Sequence, residues 1–227
     1  MNNSIELKNL SKTFFDKKNI NFLKKINFKF QLGKIYSIMG PSGSGKSTLL
    51  NLISLIDKPT SGSIKFLNKT IDFNNNENND IFRANNIGII YQQDNLLTDF
   101  TALENVYLAC LASGLDKNHS KLKAVNILKQ VGLANRIDHY PNELSGGEKQ
   151  RVSISRALVN EPNIILADEP TGSLDKKNAD EIFDLLKKQI TPNRLILFAT
   201  HNRFLANKSD CLLEMVDGRL KSINARI

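Results

Sequence analysis

The sequence contains no tryptophan, only two cysteines and no long apolar run. Cys110 and Cys211 form neither a CxxC nor a CxxH arrangement, so we expect reduced, structural thiols in a cytosolic protein and no metal site built on cysteine. No apolar segment approaches the length of about 18 residues that a membrane-spanning helix needs. The N-terminal segment MNNSIELKNL lacks the basic and apolar regions of a secretory signal. A role at a membrane would therefore depend on a partner.

The 227 residues predict one large domain, or a domain with a subdomain, and the 41% hydrophobic content is enough for a buried core. No internal repeat is present. The net charge of +8 is not concentrated in one basic stripe. It fits nucleic acid, an anionic membrane surface or a nucleotide as a partner, and it equally fits a lysine-rich composition without functional meaning.

Hydrophobic patterning predicts strands that precede and then alternate with helices, which is typical of an α/β core with an antiparallel N-terminal sheet. The predicted strands are SIELKNLSKTF, INFKFQLG, KIYSIMG, GSIKFLNKTI, NIGIIYQQ, NIILADE and RLILFATH, followed by a hairpin in CLLEMVDGRLKSI that turns at Asp217 and Gly218. The predicted helices are STLLNLISLI, with Leu49, Leu52, Ile53 and Ile56 on one side, and LKAVNILKQVGL, with Leu122, Val125, Leu128 and Val131 near one face and Gly132 after its end. The polar segment 72–80, DFNNNENND, predicts an exposed loop.

The segment GPSGSGKST matches the phosphate-binding pattern GxxxxGK[ST] between a predicted strand and a predicted helix. Its glycines allow backbone N–H groups to surround phosphate oxygens at a helix N-terminus. Lys46 is expected to reach the β- and γ-phosphates, and the Ser47 hydroxyl to bind Mg²⁺. The predicted ATP-binding residues are Gly40, Pro41, Ser42, Gly43, Ser44, Gly45, Lys46, Ser47 and Thr48.

Two adjacent carboxylates, Asp168 and Glu169, end the apolar strand NIILADE. Carboxylates at the end of a buried strand are costly unless they bind something. Side chains alternate along a strand, so the two have different roles. We expect Asp168 in the Mg²⁺ shell and Glu169 as the base that polarises the attacking water. The alternative is a pair of helix-start carboxylates before Pro170.

The segment LSGGEKQR has the features of a helix start but places two glycines directly after the cap. Ser145 and Glu148 fit the S-x-x-E capping box. Capping does not explain Gly146 and Gly147, which cost helix stability relative to alanine. Glycines at these positions leave backbone amides open to a closely approaching anion.

LSGGEKQR resembles the signature sequence of the ATP-binding cassette ATPases, and the P-loop, ILADEP and SLD occur in that family's order over essentially the whole chain. The resemblance implies a P-loop NTPase core with an N-terminal antiparallel β subdomain and an inserted α-helical subdomain. Residues 1–91 would hold the β subdomain and the P-loop, 92–150 the Q-loop and helical subdomain, and 151–227 the rest of the core. It also implies a homodimer that encloses two ATP molecules, each between the P-loop of one subunit and the signature of the other. The signature residues are Leu144, Ser145, Gly146, Gly147 and Glu148.

Three further positions match motifs of the family, and two of these motifs contact the γ-phosphate. Gln92 occupies the Q-loop position, where it would contact Mg²⁺ and the γ-phosphate and couple them to a partner, with Gln93 as the neighbouring candidate. His201 in FATHN matches the switch histidine, which contacts the γ-phosphate. Asp175 in TGSLD matches the D-loop, which helps to couple the two opposed sites.

Phe14 falls where the family stacks an aromatic side chain on adenine. A phenylalanine there keeps the π face and lacks the hydroxyl of the more common tyrosine. Phe15 is an alternative for this role, and an ordinary core phenylalanine is a second one.

Three segments, LLTDFTALENV, ISLIDKPTSG and ATHN, are similar to bacterial lipoprotein-releasing ATPases and to their macrolide-exporter and cell-division relatives. This resemblance implies integral membrane permease subunits as partners, a peripheral location on the cytoplasmic face of the inner membrane, and a lipoprotein cargo that the partners handle. Lys149 and Ser173 depart from the usual Gln and Asn of these relatives. Neither position needs to touch phosphate.

Other functions remain open at this point. A cassette of an amino-acid or metal importer is opposed only by the segment after the Q-loop. A soluble cassette protein that acts on DNA or the ribosome fits the positive charge, but such proteins usually carry two cassettes or a coiled-coil insertion, so we expect no nucleic-acid partner. A P-loop kinase of a small metabolite would have no use for the signature or for the Asp-Glu pair.

Overall fold

The computed structural model describes residues 4–15, 19–67 and 69–225. The chain divides into a first unit, residues 1–80 with 190–227, and a second unit, residues 81–189. The strands are β1 Ser4–Phe15, β2 Asn19–Gln31, β3 Ile35–Met39, β4 Ser61–Phe66, β5 Lys69–Thr70, β6 Ile87–Ile90, β7 Ile164–Asp168, β8 Leu195–Ala199, β9 Cys211–Val216 and β10 Arg219–Ala225. The helices are α1 Lys46–Ile53, α2 Asn76–Asn86, α3 Ala102–Ala112, α4 Lys117–Gln130, α5 Gly146–Leu158, α6 Lys176–Lys187 and α7 Arg203–Ala206, with short 3₁₀ turns at Ala134–Arg136 and Pro141–Glu143.

The first unit contains an antiparallel sheet with the strand order β2-β1-β4-β5. β1 pairs with β2 from Ser4 opposite Gln31 to Phe15 opposite Asn19. Ile5 and Leu7 are buried in alternation, and a shift of register then buries Leu10 in place of Asn9. The predicted antiparallel N-terminal sheet is therefore present.

The first unit also contains β3 between two parallel neighbours, β8 and β9. β10 pairs antiparallel with β9 through the predicted hairpin, in which Asp217 and Gly218 both have positive φ. β8 is buried along its whole length, in agreement with the near-continuous apolar strands of parallel sheets. Because β3 and β8 run parallel, the segments that follow them meet at one edge of the sheet.

The second unit contains the parallel pair β6 and β7, with Ile90 opposite Ala167. Its helices α3, α4 and α5 surround an apolar core that includes Val106, Leu128 and Val152. Cys110 lies in that core, where burial raises the pKa of its thiol. Cys110 and Cys211 are both free and buried, in agreement with the expected structural role.

The prediction of a loop over residues 72–80 is wrong for its second half, because α2 begins at Asn76. The asparagines there bond to the backbone: Asn75 Oδ1 accepts from the Asn78 amide, and the buried Asn79 side chain donates to the Asp72 carbonyl. Asparagine and aspartate favour such local caps, so a polar run can start a helix.

Two residues that the sequence places on the apolar sides of helices are exposed. Ile56 lies beyond α1, which ends at Ile53, and Leu55 then turns into the left-handed region, so the Ile56 side chain is 51% exposed. Leu122 is 60% exposed because the buried face of α4 is formed by Ser120, Ala124 and Leu128. Among the described residues, no helix combines the length and the apolar character that crossing a bilayer requires.

Candidate active site

The P-loop joins β3 to α1 in conformations that require glycine at two positions. Gly40 has φ +156° and Gly45 has φ +106°. A Cβ on Gly40 would lie 2.1 Å from the Met215 carbonyl oxygen, and a Cβ on Gly45 would lie 2.9 Å from the Phe22 carbonyl oxygen. Both distances are too short for any side chain, so the loop can pass here only as glycine.

The Lys46 side chain folds back over this loop. Its ammonium donates to the Gly40 carbonyl at 2.8 Å and to the Pro41 carbonyl at 3.1 Å, and it lies 3.4 Å from His201 Nε2. Only 6% of Lys46 is exposed. A buried ammonium beside a helix N-terminus makes the loop strongly attractive to an anion.

Three hydroxyls of the P-loop segment have different surroundings. The Ser44 hydroxyl is buried and has no hydrogen-bond partner within the described part of the chain, although buried polar groups are normally paired. Ser47 and Thr48 lie in the first turn of α1, where Ser47 is exposed and Thr48 is half-buried. The segment therefore offers hydroxyl oxygens and an unused polar atom beside the lysine.

His201 and the P-loop lie together because β3 and β8 are parallel neighbours. The Thr200 amide donates to the Ile38 carbonyl, so the chain that leaves β8 stays beside the chain that leaves β3. Asn202 then caps α7 by accepting from the Phe204 amide. His201 is exposed at this edge, next to the Lys46 ammonium.

Phe14 is 42% exposed, so it is not a core side chain. Its ring meets the Phe22 ring edge-on at 4.9 Å between centroids, and the Lys12 ammonium lies 4.9 Å from its centroid. Phe22 in turn contacts the P-loop, since its carbonyl lies against Gly45. An aromatic surface therefore lies near the P-loop in the first unit. The structure does not describe the side chain of Phe15, the alternative for the adenine contact.

Gln92 follows β6 in the second unit and packs on the turn that follows β7. A Cβ on Gly172 would lie 3.1 Å from Gln92 Nε2 and 3.3 Å from the Glu169 carbonyl oxygen. The Gly172 amide donates to that same carbonyl. The glycine thus leaves room for the Gln92 amide against the turn that carries Glu169.

Asp168 and Glu169 have different backbone conformations at the end of β7. Asp168 is the last residue of the strand, whereas Glu169 has φ +48°, which is uncommon for a residue with a side chain. The helix-start alternative is wrong, since Pro170 lies in a turn and α6 begins only at Lys176. Burial raises the pKa of the Tyr91 hydroxyl. The positive charge of Arg156 opposes this rise, and the negative charge of Asp168 adds to it.

The signature segment forms the predicted capping box at the start of α5. The Glu148 amide donates to Ser145 Oγ, while the Ser145 amide and hydroxyl both donate to Glu148 Oε2, each at 2.8 Å. Arg136 Nε donates to the other carboxylate oxygen at 2.9 Å. The bond from Arg136, with those from Ser145, lowers the Glu148 pKa to about 2. Leu144 is buried in the helical core before this cap.

Asp175 caps α6 and lies close to the signature through Asn178. The Asp175 carboxylate accepts from the Asn178 amide at 2.9 Å and from the Asn178 side-chain nitrogen at 2.7 Å. The bonds from Asn178 lower the Asp175 pKa. A Cβ on Gly147 would lie 3.0 Å from Asn178 Oδ1. The sequence motifs name Asp175 and Gly147 but not the asparagine between them.

Sequence reasoning also missed two residues of α5 that hold the chain on both sides of Gln92. Gln150 donates to the Tyr91 carbonyl at 3.3 Å. Arg156 donates to the Asp94 carbonyl and to the Asn95 carbonyl, each at 2.8 Å. A glutamine and an arginine inside an amphipathic helix give no signal that distinguishes them from solvated residues.

Known proteins resemble this chain over its full length. A family model described as ABC transporter matches residues 23–172. The chain belongs to the ABC transporter family. It is 45% identical over 228 residues to the lipoprotein-releasing system ATP-binding protein LolD of Wigglesworthia glossinidia brevipalpis, covering 99% of this chain and 100% of the relative. It is also 45% identical over 223 residues to LolD of Rickettsia felis, covering 97% of this chain and 99% of that protein.

Among solved structures, the dimeric post-hydrolysis state of the ATP-binding cassette MJ0796 bound to ADP and Pi has a TM-score of 0.88 and 37% identity, covering 97% of this chain and 99% of that one. These likenesses confirm the predicted fold class, an α/β P-loop NTPase of the ABC type with an antiparallel β sheet. They also confirm the predicted activity: the chain is an ATPase whose hydrolysis is coupled to transport.

Proposed function

We propose that two copies of this chain enclose two ATP molecules, each between the P-loop of one subunit and the signature of the other. The Lys46 ammonium carries this proposal, since it is buried inside the P-loop and held by two carbonyls that phosphate oxygens could replace. His201 beside it would contact the γ-phosphate. The dimeric cassette MJ0796 supports the same assembly, since it is a near-complete structural match.

Hydrolysis in this proposal depends on the carboxylates after β7. Glu169 would accept the proton of the attacking water. The Gln92 amide, which packs on the turn that carries Glu169, would contact Mg²⁺ and the γ-phosphate. Ser47, Asp168 and Gln92 offer the oxygen donors that Mg²⁺ prefers, and one carboxylate with substrate phosphates is a usual magnesium environment. When bound, the cation would neutralise negative charge on the phosphates. Phe14 would stack on the adenine.

We further propose that the chain powers membrane subunits that release lipoproteins from the inner membrane. The chain matches LolD relatives from end to end at 45% identity, which supports this reading over an importer. The ATPase would be a peripheral subunit on the cytoplasmic face of that membrane, and its closure would act on the permease mechanically. We expect that the chain has no nucleic-acid partner.

Replacing Glu169 by glutamine tests the nucleotide site. Because the amide cannot accept the proton, we expect ATP binding to persist while turnover nearly stops, so that an ATP-dependent dimer accumulates on a sizing column. Glu161→Gln, at an exposed position where the carboxylate pairs with Lys123, is the control and leaves turnover unchanged. Full turnover in the Glu169→Gln variant would remove Glu169 from the mechanism. A variant that stays monomeric with bound ATP would contradict the enclosed-nucleotide dimer.

A depletion strain tests the cargo. We expect this chain, expressed together with permease subunits from its own organism, to restore lipoprotein release in bacteria depleted of their lipoprotein-releasing ATPase, and Glu169→Gln not to restore it. Restored amino-acid uptake or macrolide resistance, without lipoprotein release, would instead favour an importer or an exporter. Salt-dependent DNA binding at physiological ionic strength would favour the nucleic-acid alternative.

A further inference from the structure

The start of α6 and the start of α5 are joined by one side chain, Asn178. Its nitrogen donates to Asp175 Oδ2 at 2.7 Å, and its oxygen lies against the Cα of Gly147. The backbone amide of Asn178 binds the other oxygen of the same carboxylate. Both ends of the Asn178 amide therefore have a fixed neighbour, one on each helix.

The glycine at position 147 is what permits this contact. A Cβ there would lie 3.0 Å from Asn178 Oδ1 and 3.4 Å from its Cγ, which is tighter than ordinary packing. The Asn178 side chain cannot turn away without losing its bond to Asp175. The neighbouring Gly146 faces Leu174, the residue before Asp175, at 3.9 Å from where its Cβ would be. The signature turn and the D-loop thus lie against each other at two successive positions.

We infer that Asn178 is a positioning residue that sets the spacing between the signature and the D-loop of the same subunit. This inference rests on the proposed function, in which both segments face the nucleotide held by the other subunit. With Asn178 in place, Ser145–Gly147 and Asp175 approach that nucleotide as one rigid surface. Without it, each segment must be ordered separately during closure, and that ordering opposes dimer formation.

The chain offers a matched control in α4. There Asp116 caps the helix as Asp175 caps α6, and the His119 side chain binds the cap carboxylate from the same third position. The His119 side chain is exposed and bonds to Asp116, and within the described part of the chain it bonds to no signature residue. His119→Ala therefore removes an equivalent cap contact without touching the proposed link.

The first experiment measures ATP-dependent dimerisation in the Glu169→Gln background by analytical ultracentrifugation. We expect Asn178→Ala to raise the ATP concentration needed for dimerisation about tenfold, the loss of roughly one hydrogen bond and its packing. In the parent background the ATP concentration for half-maximal turnover should rise by a similar factor. ATP affinity of the monomer should not change, because Asn178 contacts Asp175 and Gly147 and not the P-loop. His119→Ala should leave all three quantities unchanged. Equal effects of the two variants, or none from Asn178→Ala, would overturn the inference.

The second experiment uses Asn178→Asp, which keeps the shape but sets two carboxylates side by side. Such pairs share a proton as the pH falls, which restores a hydrogen bond. ATP itself changes protonation over this interval, so the variant is compared with the parent at each pH. We expect the ratio of variant to parent dimerisation to be low near about pH 8 and to recover toward about pH 5. A ratio that is independent of pH would contradict the inference even if Asn178→Ala fails to fold.

Hydrogen exchange separates failure of this inference from failure of the proposed function. In the monomer without nucleotide, we expect Asn178→Ala to speed exchange of the Ser145 and Glu148 amides, which the capping box bonds, about tenfold, and His119→Ala to leave them unchanged. If that change occurs while the Glu169→Gln variant never dimerises, the contact is real and the enclosed-nucleotide dimer is wrong. Unchanged exchange at Ser145 and Glu148 would mean that Asn178 does not position the signature.

Discussion

Replacing Arg156 by methionine tests the link between α5 and the chain that follows Gln92. The guanidinium donates to two consecutive carbonyls, those of Asp94 and Asn95, at 2.8 Å each. Consecutive carbonyls of an extended strand point in opposite directions. Here they converge because Asn95 has φ +48°, a conformation that asparagine tolerates. Methionine keeps much of the apolar stem and removes both bonds.

The expected loss follows from these two bonds and from the burial of the group that makes them. A hydrogen bond from a charged donor contributes about 1.5–3 kcal/mol. Desolvation, which lowers the pKa of Arg156, offsets part of that contribution. We therefore expect local stability to fall by about 2 kcal/mol, which corresponds to about 30-fold more frequent opening of the segment after Gln92.

Hydrogen exchange of peptides that contain Leu96 and Leu97 measures this opening directly. Both amides are bonded in the native chain, to Asp94 Oδ1 and Asn105 Oδ1, and report when the segment leaves α5. Arg151 lies on the same helix as Arg156, pairs with Glu181 of α6 and donates to the Val131 carbonyl. Arg151→Met is the control and should leave these peptides unchanged, because it removes no bond to the segment after Gln92. An Arg156→Met variant with native exchange at both peptides would refute the reasoning.

Three other outcomes are expected. Lys46→Ala should weaken ATP binding about 100-fold, measured by fluorescence titration, since it removes the charged donor from the phosphates; unchanged affinity would contradict the P-loop assignment. Ser145→Arg should bind ATP but not dimerise, whereas Ser145→Ala, which loses the same helix cap, should dimerise measurably; equal behaviour would mean that only the cap matters. The bonds from Arg136 and Ser145 depress the Glu148 pKa from 4.5 to about 2, so the stability that they contribute is complete above pH 4.5 and is lost as the pH falls toward 2. The melting temperature of Glu148→Gln should thus fall less over that pH interval than that of the parent.

Local patterns in the sequence predicted those parts of the molecule whose physical cause is also local. The P-loop needs glycine at fixed spacing between a strand and a helix, and the capping box needs a serine and a glutamate three residues apart, so both could be assigned from the letters alone. The apolar strands β7 and β8 were predicted for the same reason. The pattern does not predict the start of α2, because a run of asparagines is usually a loop. The hydrogen bonds to Asp72 and Asn75 stabilise the helix there.

Contacts between distant segments could not be predicted in this way. The Asn178 side chain contacts Gly147, and Arg156 donates to the carbonyls of Asp94 and Asn95. These contacts form only when the helices pack against their neighbours. An asparagine at the third position of a helix is an ordinary capping residue by sequence. Its contact with a glycine of another helix depends on tertiary structure, which no local pattern encodes.

The capping box of the signature uses the amides of Ser145 and Glu148 and not those of the two glycines between them. The Ser145 hydroxyl donates to Glu148, and the Glu148 amide is satisfied by Ser145 Oγ. The first helical amides have no acceptor within a helix, so those of Gly146 and Gly147 remain for an external anion. A phosphate can use them without breaking the cap, whereas it can gain the serine hydrogen only if Glu148 loses it. The backbone amides should therefore supply the first contact, and side chains at these two positions would block their approach.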